Sequence, residues 1–131
     1  MKTWTFTIEE WDLPSANVLM RQHWGKLSKD KRLLEAIIYS FDPPEFLGPV
    51  ELEIVRHYGK RKRAYDPDNL YFSVKPLIDV LKKRKGRSKI GLGVIQDDNS
   101  DIIRELRVRQ ARSDDGIPRV AVSISDLPRE D

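Results

Sequence analysis

Val50, Leu52, Ile54 and Arg56 alternate with Glu51, Glu53 and Val55, and this period of two demands a strand with one buried face. The strand runs into Gly59, then into Lys60-Arg61-Lys62-Arg63 and Asp66-Pro67-Asp68-Asn69. The chain must therefore pack that strand against a second layer while holding a basic and an acidic cluster just past the strand's end.

The other elements follow from the same patterns. Thr3 to Trp11 sets Trp4, Phe6 and Ile8 on one face and threonines on the other, a half-buried strand. Leu13-Pro14-Ser15-Ala16-Asn17 reads as a turn-rich loop. A helix of three to four turns is expected from about Ser28, its N-cap, to the limit set by Pro43-Pro44. Leu70, Val74, Leu77, Ile78 and Leu81 recur at helical spacing to about Lys85, but Pro76 suits only a first turn, so the regular helix is expected to begin near Ser73, with Leu70 to Phe72 either an irregular lead-in or a kinked extra turn. Gly86 to Gly93 reads as a loop. Ile102 to Arg112 and Arg119 to Ser125 alternate as strands, and Ser113-Asp114-Asp115-Gly116 predicts a hairpin between them. The expected fold is α+β, a small sheet of about four strands with two helices in the order β-α-β-α-β-β, and a frayed tail after about Asp126.

A length of 131 residues fits one domain. The formal charge of +3 is only mildly basic, so an argument for a nucleic-acid partner rests on clustering rather than on totals. The absence of Cys excludes disulfides and thiolate metal sites. No stretch has the length of a signal peptide's apolar core or of a membrane span, so the expectation is a soluble, cytoplasmic protein without membrane contact.

The acids carry the chemistry. Asp66 and Asp68 stand two apart, so in an extended segment both carboxylates point the same way, and Asp97 or Asp98 would supply a third oxygen ligand to a hard cation such as magnesium. Lys60, Arg61, Lys62 and Arg63 flank the first cluster, and Lys82, Lys83, Arg84, Lys85, Arg87 and Lys89 lie before the second; acids within such a basic surround suggest metal-assisted chemistry on a phosphodiester. Taken singly, each part has a plainer reading: a helix cap at Asp68, turns at Asp66-Pro67 and Asp97-Asp98-Asn99, solvated basic loops. Trp4, Phe6 and Trp11 read first as core or interface residues. His57 reads as structural, and His23 as a DNA contact or a cover for the core.

Asp66-x-Asp68-Asn69-Leu70, Lys75-Pro76-Leu77-Ile78-Asp79-x-Leu81 and Val94-Ile95-x-Asp97-Asp98-Asn99 together resemble the RusA family of Holliday junction resolvases, as does Leu13-Pro14-Ser15-Ala16-Asn17 followed by Arg21, His23 and Trp24. The resemblance implies a homodimeric, magnesium-dependent endonuclease, often prophage-encoded, that nicks four-way DNA junctions symmetrically in recombination and repair, with manganese as a substitute metal. It assigns Asp66, Asp68 and Asp98 to metal binding and catalysis, with Asp97 an alternative ligand or a supporting acid, and Lys75 to catalysis. One departure stands out: five residues separate Asn69 from Lys75, where the family's pattern has two, as though Tyr71-Phe72-Ser73 had been inserted. On a continuous helix Lys75 would lie roughly 10 Å along the axis from Asp68; a bulge before Ser73 would restore the family's spacing.

Asp79 is expected to orient Lys75 as an ion pair. The competing expectation is a branched-DNA-binding module in which the insertion has abolished cleavage. A nucleotide or RNA phosphohydrolase is disfavoured, because the chain has no Gly-rich phosphate cradle, and no nucleotide cofactor is expected.

Overall fold

The computed structural model describes residues 1–127 and has the expected α+β class. Its elements run β1 (Thr3–Glu9), α1 (Ala16–Arg21), α2 (Trp24–Tyr39), β2 (Val50–Tyr58), α3 (Pro67–Phe72), α4 (Lys75–Leu81), β3 (Ile103–Arg112) and β4 (Arg119–Asp126). The four strands form one sheet in the order β1-β4-β2-β3, antiparallel except for the β2–β3 pair.

Alternation decides which face is buried. Phe6, Val122, Ile54 and Val108 stand in register across the four strands, and all four are buried. Leu34 and Ile38 of α2, Leu77, Val80 and Leu81 of α4, and Phe46, Val94 and Ile95 of the connecting loops complete the core. The opposite face carries polar cross-strand pairs: Thr3 with Ser125 at 3.1 Å, Glu9 with Arg119 at 2.8 Å, Glu53 with Arg109 at 2.6 Å. No helix among the described residues is long and apolar enough to cross a membrane.

Four expectations need correction. Ala16–Arg21 is a helix rather than part of a loop; Ser15 caps it, its hydroxyl accepting from Val18 N. Helix α2 starts at Trp24, with His23 as its N-cap through a 3.1 Å bond from Gly25 N to Nδ1, which leaves Ser28 inside the helix. The second predicted helix is two helices. In one continuous helix the Pro76 ring would strike the Phe72 carbonyl, and no N–H would be there to bond it; the chain instead breaks at Ser73 and Val74, and Pro76 falls in the first turn of α4, where proline is tolerated.

Nor do β3 and β4 form a hairpin. Strand β2 lies between them, and residues 113–118 cross its end, with Ser113 N bonding Tyr58 O at 2.9 Å and Lys60 N bonding Gly116 O at 3.1 Å. The turn-forming residues are there, but β2 offers two long registers, to β3 and to β4, that a hairpin would exclude. At the start of the tail expected to fray, Asp126 N bonds Lys2 O, and Leu127 N bonds Pro49 O at 3.1 Å. The rest of that tail lies outside the described residues.

Arg56 is placed on the buried face by the alternation of β2, and it is fully buried. Asp12 takes its guanidinium as a fork, at 2.6 Å to Nε and 2.9 Å to Nη2. Its Nη1 donates to the Arg63 carbonyl and to Gln110 Oε1, each at 3.0 Å, and the Tyr65 ring stacks 3.5 Å from its Cζ. Gln110 bonds both the N–H and the carbonyl of Tyr65, while the Tyr65 hydroxyl donates to Leu13 O at 2.7 Å. Burial holds the Tyr65 phenol above its ordinary pKa, although the Arg56 charge pulls the other way. Breaking one side of a buried ion pair strands the other charge. Asp12→Ala is therefore expected to cost about 3–5 kcal/mol in urea denaturation, and the double variant Asp12→Leu/Arg56→Met distinctly less than that. A cost for Asp12→Ala within error of zero would contradict this account.

Candidate active site

The Arg56 cluster clamps residues 63–65, so the acids that follow leave a fixed point. Asp66 is extended, with φ −61° and ψ 152°, and occupies the N-cap position of α3, yet its carboxylate makes no cap bond. Asp68 sits in the first turn of α3 and does not cap the helix. Both are exposed. Asn69 turns the other way: its Oδ1 accepts from Ala16 N at 2.7 Å and ties the start of α1 to α3.

The second cluster is carried to the end of α4 by backbone bonds. Val94 and Ile95 N–H groups bond Leu81 O, at 2.9 and 3.2 Å, and Lys83 N bonds Ile95 O at 3.0 Å. The loop leading there is anchored as well: Gly91 N donates to Glu35 Oε2 at 2.8 Å, and a Cβ at Gly91 would meet Lys82 O at 2.5 Å. With φ +144° and that close approach, position 91 requires glycine. Asn99 Oδ1 then accepts from Asp101 and Ile102 N–H groups and turns the chain into β3.

Here acids and lysines alternate. Asp79 is shared by Lys31 at 2.8 Å, Lys82 at 3.6 Å and Lys75 at 3.9 Å, and Lys82 continues to Asp98 at 3.1 Å. Lys85 pairs with Asp97 at 2.9 Å. The Lys85 ammonium, helped by the Asp98 N–H, brings the Asp97 carboxyl down to about 2 from an ordinary 3.8. Lys82 is raised above its ordinary 10.5: burial works against the charge, but Asp98 and Asp79 outweigh it. Lys75 and Asp98 face one shallow cavity of about 240 Å³, which Tyr71, Phe72, Ile78 and Leu106 also line.

The structure thus joins Lys75, Asp79 and Asp98, and among the described residues Asp66 and Asp68, on the turn that opens α3, have no ion-pair partner. Among the described residues no three acidic or imidazole groups are gathered so as to hold a metal ion. Asp66, Asp68 and Asp98 nevertheless have the oxygen donors that magnesium takes, and this ion is commonly held by one or two carboxylates together with substrate phosphate and water rather than by a closed protein cage.

The basic segments divide. Among the described residues, Lys60, Arg61, Lys62, Arg63, Arg87 and Lys89 form no ion pair, and neither do Asp66 and Asp68. Lys82, expected on a solvated phosphate-binding run, is instead a half-buried link between two acids. Arg84 reaches Glu35 and the Gly91 carbonyl, and Lys83 reaches Gln96. His23 is absorbed by its capping role, and His57 lies on the polar face of the sheet.

Sequence reasoning missed Lys82 as an internal counter-ion, Lys31 as a partner of Asp79, and the anchoring role of Asn69. Lys82 stands three residues after Asp79, a spacing that signals a helical ion pair and that the surrounding charge run hides.

No family model matches the chain, and a search of curated proteins found no match.

Asp79 serves three lysines, and Asp79→Asn is expected to lower stability by about 1–2 kcal/mol in chemical denaturation, through the lost tie between α2 and α4. The Asp97–Lys85 tie has a definite pH window. Because the folded carboxyl titrates below its ordinary value, the contribution of the tie is present above 3.8 and disappears as pH falls through about 2. Carbon-detected NMR titration should find the Asp97 midpoint well under 3.8; a midpoint at or above 3.8 would contradict the pairing.

Proposed function

We propose that this chain is a magnesium-dependent, structure-selective DNA endonuclease that resolves four-way junctions by symmetric phosphodiester hydrolysis, acting as a homodimer in the cytoplasm of a bacterial or prophage-bearing host. Two observations support the reading: Asp66 and Asp68, exposed and without an ion pair among the described residues, lie on the segment that leads to Lys75, and Lys75 shares a cavity with Asp98.

Asp66 and Asp68, with Asp98 as the third acid of the resolvase pattern, would hold the magnesium ion together with substrate phosphate and water, and the ion would supply a Lewis acid for the phosphoryl oxygen and a water of lowered pKa. The remaining chemistry belongs to the chain. The Lys75 side chain is 62% exposed and only loosely tied to Asp79, so its ammonium is free to meet a phosphate oxygen as negative charge develops there. Asp79 keeps that lysine on the α4 face that looks towards Asp98. Lys60, Arg61, Lys62, Arg63, Arg87 and Lys89 offer phosphate contacts that carry position and affinity rather than sequence, as recognition of a branch shape requires. Two paired cuts need two sites on one substrate, and a C2 dimer meets that need.

A second reading, a branched-DNA-binding module without cleavage, draws support from a specific feature: Lys82 and Lys85 already occupy the carboxylates of Asp98 and Asp97.

The test is cleavage of a synthetic four-way junction beside linear duplex, with and without magnesium. The expected outcome is paired nicks at the branch that require the metal, are abolished by Asp68→Asn with junction binding retained, and fall roughly 10²–10³-fold in rate for Lys75→Ala. Tight junction binding without nicks in magnesium or manganese would favour the binding module.

A further inference from the structure

The three residues by which the chain departs from the resolvase pattern, Tyr71-Phe72-Ser73, are not a passive insertion. Ser73 is fully buried at the break between α3 and α4, its hydroxyl bonded to Leu70 O at 2.6 Å, and the break leaves the two aromatic rings at the surface. Tyr71 is 46% and Phe72 42% exposed, a large apolar area to leave in water on a chain of this size. The Tyr71 hydroxyl lies 3.5 Å from Leu106 O and 3.4 Å from Val108 N, so it covers backbone groups on the open edge of β3 and holds its ring in place. The rings wall the cavity of about 240 Å³, aliphatic Ile78 and Leu106 add to its lining, and the charges of Lys75 and Asp98 also face it.

That volume is below the roughly 300–1,000 Å³ of sites for drug-sized ligands, and fits a single flat group. Apolar walls with two exposed aromatic rings suit a π-face. Beside a lysine in a basic surround, they suit a π-face that is attached to an anion. A nucleobase with its flanking phosphate has both features, and aromatic side chains stack bases of any sequence. In duplex DNA the bases are held in the stack; at a branch point they can leave it at low cost.

We propose that Tyr71 and Phe72 form a base-stacking subsite that receives an unpaired nucleobase at the branch, next to the phosphate presented to Lys75 and Asp98. The subsite rests on the nuclease reading above for its substrate. It adds a source of preference for branched over linear DNA.

The probe is a four-way junction carrying 2-aminopurine at the branch, with a linear duplex carrying it centrally, both in calcium to separate binding from cleavage. Wild type should quench the branch fluorophore and leave that in the duplex unchanged. Phe72→Ala should abolish the quenching and weaken junction binding roughly tenfold, with duplex affinity unaltered. Phe72→Leu, which keeps apolar bulk and removes the stacking face, should behave as Phe72→Ala does, and Phe72→Trp should restore the signal. Junction binding and quenching equal to wild type in both Phe72→Ala and Phe72→Leu would overturn the subsite. Magnesium-dependent nicking of the same junction separates the two claims: Phe72-dependent quenching without nicks keeps the subsite and discards the nuclease, whereas nicks with Phe72-independent fluorescence do the reverse. No junction binding by wild type overturns both.

Discussion

One buried guanidinium organises this fold. Arg56 closes the buried row of β2 after Val50, Leu52 and Ile54, where its charge would be very costly if unpaired. Asp12, Gln110, Tyr65 and the Arg63 carbonyl satisfy it, and these partners come from the segment after β1, from β3, and from the stretch that leads to α3. No buried side-chain nitrogen or oxygen among the described residues is left without a partner. A network that is satisfied only when all of its contributors are in place couples the first loop, the edge strand and the approach to Asp66 into one unit.

That coupling explains how acids in an exposed turn can be held in place. Asp66 itself makes no cap bond, and its position is inherited from the clamp on residues 63–65. The second acidic pair is positioned differently, by backbone bonds to the end of α4 and by lysines that neutralise it. Lys75, Asp79, Lys82 and Asp98 form a line of alternating charge in which each group has an opposite neighbour. Such a line offsets the desolvation that packing α4 on the core imposes.

The break between α3 and α4 shows how a local rule shapes the site. Proline at position 76 forbids a continuous helix, and burying Ser73 at the interruption turns Tyr71 and Phe72 outwards. Neither of the two arrangements derived from sequence describes the outcome, since α3 is regular from Pro67 and α4 starts afresh at Lys75. The obstacle was visible in the sequence. Its resolution depended on which side chains the core could accept.

Period-two alternation in β1, β2, β3 and β4 determined the strands and their buried faces by itself, because burial acts on each side chain separately and leaves a local trace. It also placed Arg56 inward and set both acidic clusters past the ends of buried elements. Strand order was beyond it: Ser113-Asp114-Asp115-Gly116 has the composition of a tight hairpin, yet β2 intervenes, since pairing energy is summed over whole registers and not over turns. The partners of Lys31, Asn69 and Asp98 were likewise decided only by the tertiary structure, whereas the pairing of Lys82 with Asp79 is local. Charges find their counter-ions through space, and Lys31 with Asp79 or Ala16 with Asn69 are pairs far apart along the chain that nothing local in the sequence could bring together.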